Sequence, residues 1–300
     1  MNGGGLIIVG NGFDVNHGYP SSYLNFKKWL NKNNKLLYNS LEEYIDVSGE
    51  WWNEFERNLS EFDVPKLIKD TPIGNSPRDF RLPVSYSYPA SGRLNSMVKE
   101  LSRSFTKWVK SLDGIPVKKI IDLPESKLYV SFNYTNTLER IYGINENRIL
   151  YIHGKASRGD KLIFGHGRNH FLLEEDVMKK YGLYKSEDFF IPGTYGDDEY
   201  QLVLRISFLE KRPYDQLIKY REVILPAIME SSVVFVYGLS FSEVDFPYIE
   251  WIVEKNSNLR WRVSWHVEDD KKRIKNTFDA LNVREYEMFY LEYIAKRVKG

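Results

Sequence analysis

At 300 residues the chain is long enough for one large α/β domain or a domain carrying a sizeable insertion, and 42% hydrophobic with 15% aromatic residues is ample for a packed core. Its 42 basic residues nearly cancel its 41 acidic ones, so no general electrostatic grip on nucleic acid or anionic lipid is expected. Having no cysteine, it cannot form disulfides, thiolate nucleophiles or Cys-ligated zinc sites, and the lack of a leader-like N-terminus or a ~20-residue apolar run predicts a soluble, cytoplasmic protein.

The first predicted element is a strand at Leu6-Ile7-Ile8-Val9, a short continuous apolar run of the kind buried on both faces in parallel sheets. It ends in Gly10-Asn11-Gly12-Phe13-Asp14. Glycines at 10 and 12 permit a tight turn whose amides could approach a phosphate. The dehydrogenase fingerprint is incomplete, however: Val15 stands where a third glycine is wanted, and no acid follows about 20 residues on.

A helix-rich segment follows. Ser40 and Glu43 read as a capping box, and Trp52, Phe55 and Leu59 repeat at helical spacing. Leu94, Met97, Val98, Leu101, Phe105, Trp108, Val109 and Leu112 form an amphipathic stripe, with the aromatic residues read as core rather than as a base-stacking platform. The stretch 71–92, with four prolines, reads as a long surface loop or lid.

Strands are predicted at Leu128–Phe132, Arg148–Ile152 and Val233–Tyr237, with Trp261–Trp265 as an edge strand because it alternates. Helices should begin near Pro213 and Pro247. The run Lys271 to Lys275 reads as a solvated helix face rather than a nucleic-acid patch. The first four strands end in polar or small residues: the glycine turn, Asn133-Tyr134, His153-Gly154 and Gly238-Leu239-Ser240, the last followed by Asp245. Ligands bind outside the carboxyl ends of strands in open parallel sheets, so these termini predict one crevice. In it Asn133 can hold a ribose hydroxyl or a water, and His153 suits a general base near neutral pH. His166, flanked by Gly165 and Gly167, is the competing base. His17 lies close to the first turn, while His170 and His266 read as structural or exposed. No dense carboxylate cluster suggests a metal.

The segments LIIVGNGFDVNHGYPSSYLNF, WWNEFE, SFNYTNTLERIYG, YIHGKA, FGHG and YGLSFSEVDFPYIEWI, in that order from residue 6 to about 252, resemble the bacterial AbiH proteins, which are associated with abortive infection, a phage defence. AbiH proteins are distantly similar to the sirtuin (SIR2/DHS-like) NAD-binding fold. The resemblance implies a Rossmann-like open parallel sheet formed by residues 1–20 and 126–300, a large helical insertion at 21–125 after the first strand, and a lid or secondary insertion at 155–225. It also implies that Gly10, Gly12, Gly18 and Pro20 match the sirtuin glycine segment, Asn133 the asparagine of its T-x-N motif, His153 the histidine of its H-G pair, and Gly238 with Ser240 its nucleotide-binding G-x-S. This chain cannot build the sirtuin four-cysteine zinc module, and Asp14 replaces a small hydroxyl residue. Those departures point away from protein deacylation and towards destruction of NAD+.

The expected activity is therefore NAD+ glycohydrolase (NADase), with NAD+ as substrate and no metal. His153, Asn133 and Asp14 would be catalytic. Gly10, Asn11, Gly12, Phe13, Tyr134, Gly238, Ser240, Asp245 and His166 would contact the nucleotide, the amides of the first turn holding its diphosphate. A homo-oligomer or a phage-derived trigger are the expected partners, with no membrane and no nucleic acid. Two alternatives stay open: a non-catalytic nucleotide sensor acting through a partner, and a nuclease or nucleic-acid binder.

Overall fold

A computed structural model describes residues 4–45, 47, 49–71, 89–166 and 213–291. Of the expected lid segments, 72–88 of the first (71–92) and 167–212 of the second (155–225) lie outside the described residues, His170 among them. The chain divides into two compact units. The first holds residues 1–26, 106–163 and 211–300, and the second 27–105 and 164–210.

The first unit is built on a six-stranded, wholly parallel open sheet: β1 (Gly4–Val9), β2 (Leu128–Ser131), β3 (Ile149–Tyr151), β4 (Ser231–Tyr237), β5 (Arg260–Trp265) and β6 (Tyr286–Tyr290), in the order β3-β2-β1-β4-β5-β6. This is the order of doubly wound nucleotide-binding sheets, which grow outward both ways from β1 and reverse between β1 and β4. Continuous apolar runs are the reason: side chains alternate across a strand, so a strand covered on both faces needs apolar residues at every position. Leu6 and Ile8 of β1 join one core with Val130, Val234, Val236, Trp261 and Val263. Ile7 and Val9 join the other with Tyr129, Ile149 and Tyr151.

The first of these cores is closed by α8 (Pro213–Glu230), α9 (Phe246–Lys255) and α10 (Glu268–Ala280), through Leu217, Ile224, Ile228, Tyr248, Ile249, Ile252, Ile274 and Phe278. The second is closed by α1 (Asn11–Asn16) and α7 (Thr137–Tyr142), through Phe13, Leu138 and Tyr142. Helices α8 and α9 begin at or beside Pro213 and Pro247, where a missing N–H is harmless.

Two sequence expectations are corrected here. The Trp261–Trp265 strand is interior, because β6 pairs with it along its length. The arginine that made it look solvent-facing, Arg262, lies 3.0 Å from Glu287 of β6 and sits over the Phe235 ring. Ser40 lies inside α3 (Lys35–Tyr44), whose cap is Asn34, accepting from the Leu37 amide at 3.3 Å.

The second unit is helical where described. It contains most of α2 (Tyr23–Asn33), then α3, α4 (Phe55–Asn58), α5 (Val64–Lys69) and most of α6 (Pro89–Leu112). Helix α6 replaces the last residues of the expected 71–92 loop. The aromatic residues of the unit are core: Trp52 lies 4.3 Å from Trp51 and 5.2 Å from Phe55, and Phe105 lies 4.5 Å from Phe164. Among the described residues no helix is long and apolar enough to cross a membrane.

Candidate functional site

The carboxyl edge of the sheet continues its ladder one residue past each central strand. Gly10 N–H donates to the Tyr237 carbonyl (2.9 Å), Phe132 N–H to Val9 (2.9 Å) and Ile152 N–H to Ser131 (3.0 Å). The turns that follow are thereby brought to one level.

Between β1 and β4, where such sheets usually open a crevice, the chain interlocks with itself. Gly12 N–H donates to the Gly238 carbonyl at 2.8 Å, and Phe13 N–H to Gly10 at 2.9 Å. A Cβ on Gly238 would fall 2.0 Å from the Phe13 nitrogen and 2.4 Å from the Gly12 carbonyl carbon, and one on Gly10 2.7 Å from the Gly238 oxygen. The three glycines serve a close backbone crossing. The amides of Gly10, Gly12 and Phe13, expected to hold a diphosphate, have the protein carbonyls of Tyr237, Gly238 and Gly10 as acceptors here. Asn11 is exposed and donates to the Ser21 carbonyl at 3.0 Å.

Beside this crossing lies a buried polar cluster. Asp14, 1% exposed, is reached by Thr137 Oγ1 at 2.7 Å (to Oδ1) and by Thr135 Oγ1 at 2.5 Å (to Oδ2), and the two hydroxyls lie 3.1 Å from each other. The Asn133 side-chain amide also hydrogen-bonds to this carboxyl. Burial pushes the Asp14 pKa up to about 6, against the opposing effect of the Thr135, Thr137 and Asn133 hydrogen bonds; the nearby Asp113 adds to the rise. Asn133 is itself only 5% exposed, with its backbone N–H on Ser131 Oγ at 3.2 Å, and its Oδ1 accepts no hydrogen bond from any described residue. A buried acceptor left without a donor is costly, and among the described residues Asp113 Oδ1 and Asn136 Oδ1 share this state.

His153 stands level with Asn133 but is enclosed. At 1% exposure its ring meets Phe132 edge-on (5.3 Å), stacks beside Tyr134 (6.1 Å) and places Nε2 3.2 Å from the Tyr248 hydroxyl. Gly154, at φ +85°, lets the chain turn back so that Ile163 N–H reaches the His153 carbonyl at 2.9 Å. Tyr134 donates its hydroxyl to the Ile163 carbonyl at 2.9 Å. His17 is structural: its ring nitrogens lie 2.6 Å from the Phe13 carbonyl and the Tyr142 hydroxyl, and burial lowers its pKa.

The remaining expected residues separate. Asp245 accepts from Ser240 and Ser242 hydroxyls, each at 3.1 Å, and the Ser240 carbonyl accepts from Arg273 Nε at 2.9 Å, which braces the loop ahead of α9. His166 belongs to the second unit and is fully buried. His266 is exposed and stacks on Tyr290. Thr135 and Thr137 were not singled out by sequence, because a threonine acquires meaning here only from Asp14, 121 and 123 residues away. Among the described residues no group of three or more His, Asp or Glu is placed to hold a metal ion.

The architecture defines a parallel α/β protein of doubly wound strand order, with a buried acid–amide–hydroxyl cluster at the carboxyl edge of its central strands. Residues 6–265 match the family model described as Bacteriophage abortive infection AbiH, and the chain belongs to that family. No curated protein sequence matches it.

Proposed function

We propose that this chain is an abortive-infection effector that hydrolyses the bond between nicotinamide and ribose in NAD+, at the cluster formed by Asn133 and Asp14. The observation that carries the reading is the unpartnered Asn133 Oδ1, buried at the carboxyl edge of a sheet with the strand order of dinucleotide-binding proteins. The likeness of the family's motifs to the sirtuin fold supports it. The donor and acceptor set suits a ribose better than a diphosphate: Asn133 Oδ1 offers an acceptor to a hydroxyl group, while the glycine-turn amides of Gly10, Gly12 and Phe13 are engaged elsewhere.

The chemistry asks little of an acid. Nicotinamide departs with the electron pair of the C–N bond and leaves as a neutral molecule, since the pyridinium of NAD+ is cationic. An oxocarbenium ion remains on the ribose, water adds to it, and a base removes the water's proton. Asn133 Oδ1 orients the ribose hydroxyl or the water. Asp14 and His153 are equally buried; of the two, Asp14 is favoured because it adjoins Asn133 and its pKa near 6 suits proton transfer close to neutrality.

Purified protein incubated with NAD+ should release nicotinamide and ADP-ribose, and Asn133→Ala should reduce that release by roughly 100-fold or more, an effect of the size a lost positioning group has. The enclosure of His153 favours one rival, a non-catalytic sensor that binds nucleotide in a closed site. Binding of NAD+ by calorimetry without nicotinamide release would establish the sensor. Undiminished release from Asn133→Ala would remove Asn133 from the mechanism.

A further inference from the structure

The contacts around Asp14 form a closed triangle: Asp14 Oδ2 to Thr135 Oγ1, Thr135 Oγ1 to Thr137 Oγ1, and Thr137 Oγ1 back to Asp14 Oδ1, at 2.5, 3.1 and 2.7 Å. Three contacts at hydrogen-bonding distance need three hydrogens. Each threonine hydroxyl supplies one, and an ionised carboxylate supplies none. With Asp14 ionised, both hydroxyls must turn to the carboxylate, and the contact between them is left as two oxygens without a proton. With Asp14 protonated the count closes: the acid donates to one threonine, that threonine to the other, and the second back to the remaining carboxyl oxygen, in either sense round the ring.

We infer that the contacts seen here are those of a neutral Asp14 carboxylic acid, that Thr135 and Thr137 are positioning residues completing its hydrogen-bond ring, and that loss of the Asp14 proton opens the ring and frees the carboxylate to act as a base. That last step rests on the reading of Asp14 and Asn133 as the working pair; the ring itself does not. The surroundings agree with a neutral acid. Asp113, from the turn after α6, faces Asp14 with like charge, and the Tyr151 hydroxyl of β3 also lies within its field. The third polar neighbour, Asn133, hydrogen-bonds its side-chain amide to the carboxyl and opposes the rise in its pKa, and on the acid's own helix His17 is turned to Phe13 and Tyr142. No described cation is among the causes that shift Asp14. Asn133 and Thr135 lie in the turn between β2 and α7 and Thr137 opens α7, so the ring fixes the segment that presents the Asn133 acceptor.

Two measurements test this without any need for turnover. First, urea midpoints of wild type and Asp14→Asn are compared from pH 4 to pH 8. The pKa of Asp14 is raised on folding, so the native state binds the extra proton, and wild-type stability falls as pH climbs from about 4 to about 6. The side-chain amide introduced by Asp14→Asn reproduces the neutral ring, with its N–H donating and its oxygen accepting. Asp14→Asn should therefore gain on wild type across that window, levelling at about 100-fold in the unfolding constant above pH 7. An Asp14→Asn variant that loses ground as pH rises would show an ordinary stabilised carboxylate and overturn the proposal.

Second, the Asp14 γ-carboxyl is titrated by carbon NMR, assigned by its absence in Asp14→Asn. If the threonines merely donate to a carboxylate, Thr135→Val or Thr137→Val must raise its pKa by about a unit or more. In the ring the neutral form loses two ordinary hydrogen bonds and the ionised form one charge-assisted bond of about twice the strength, so the pKa stays close to the wild-type value. Thr→Ser substitutions keep the hydroxyl and should titrate as wild type. A raised pKa in both valine variants sinks the ring. Failure of NAD+ hydrolysis with both results intact sinks only the proposed activity.

Discussion

Two glycines with nearly the same backbone conformation separate conformational freedom from close approach. Gly143 ends α7 at φ +69° with open space where a Cβ would stand, and Gly238 follows β4 at φ +64° with the Phe13 nitrogen and the Gly12 carbonyl carbon in that space. Gly143→Ala should cost only the strain of a left-handed L-residue, about 1–2 kcal/mol. Gly238→Ala adds a backbone clash that no rotamer can relieve, and about 3–5 kcal/mol or insolubility is expected. Urea midpoints of the two variants decide the matter, and equal losses would mean that the interlock between the first turn and Gly238 yields easily. The glycines of that interlock also show how far the site was legible. Those at 10 and 12 stood out in the sequence as a phosphate turn, and Gly238 as a nucleotide contact. That they exist to let two backbones touch depends on a contact between opposite ends of the sequence, which no local pattern encodes.

At the scale of whole elements, the central strands were readable because burial on both faces forces uninterrupted apolar runs. The rim of the sheet was not. The segment Tyr286-Glu287-Met288-Phe289-Tyr290 is only partly buried, carries a charge at its second position, and lacks the aliphatic run that marks β1 or β4. Missing it made β5 look like an edge, although the Arg262 charge is met across the strands by Glu287. A chain ending at Arg284 would strip β6 from β5 and leave five pairing positions, Trp261 to Trp265, with unpaired backbone groups. Exposed edges of this kind template association with other chains. The truncated protein should therefore collect in the insoluble fraction or sediment as oligomers, while full-length chain does not. A soluble, monodisperse truncation with an unchanged urea midpoint would show that β6 is dispensable to the sheet.

For the molecule as a whole, charge balance separates a small-molecule effector from a nucleic-acid enzyme. The chain's net charge is +1, and the basic run of α10 carries its own counter-ions: Lys271, Lys272 and Arg273 pair with Glu268, Asp269 and Asp270 three residues earlier, at 2.8, 3.2 and 2.6 Å. Arg103 and Lys119 likewise face Glu100 and Asp122. Exposed pairs such as these add little stability, yet they cancel the field that would draw a polyanion. Nucleic-acid binding works by releasing counter-ions from phosphates, so its signature is a steep fall of affinity with salt, about one power of concentration for each phosphate neutralised. Fluorescence anisotropy with labelled DNA and RNA at about 50 and 200 mM salt should give binding no tighter than the ~10⁻⁴ M end of the non-specific range at the higher salt, with a shallow slope. A slope matching about six or more phosphates would reinstate the nuclease reading, and would require the basic residues outside the pairs described above to gather on one face. A shallow slope would favour the proposed role of the Asp14–Asn133 cluster over the nuclease reading, since an open amide oxygen at Asn133 is better matched to the hydroxyls of a single nucleotide than to a phosphate backbone.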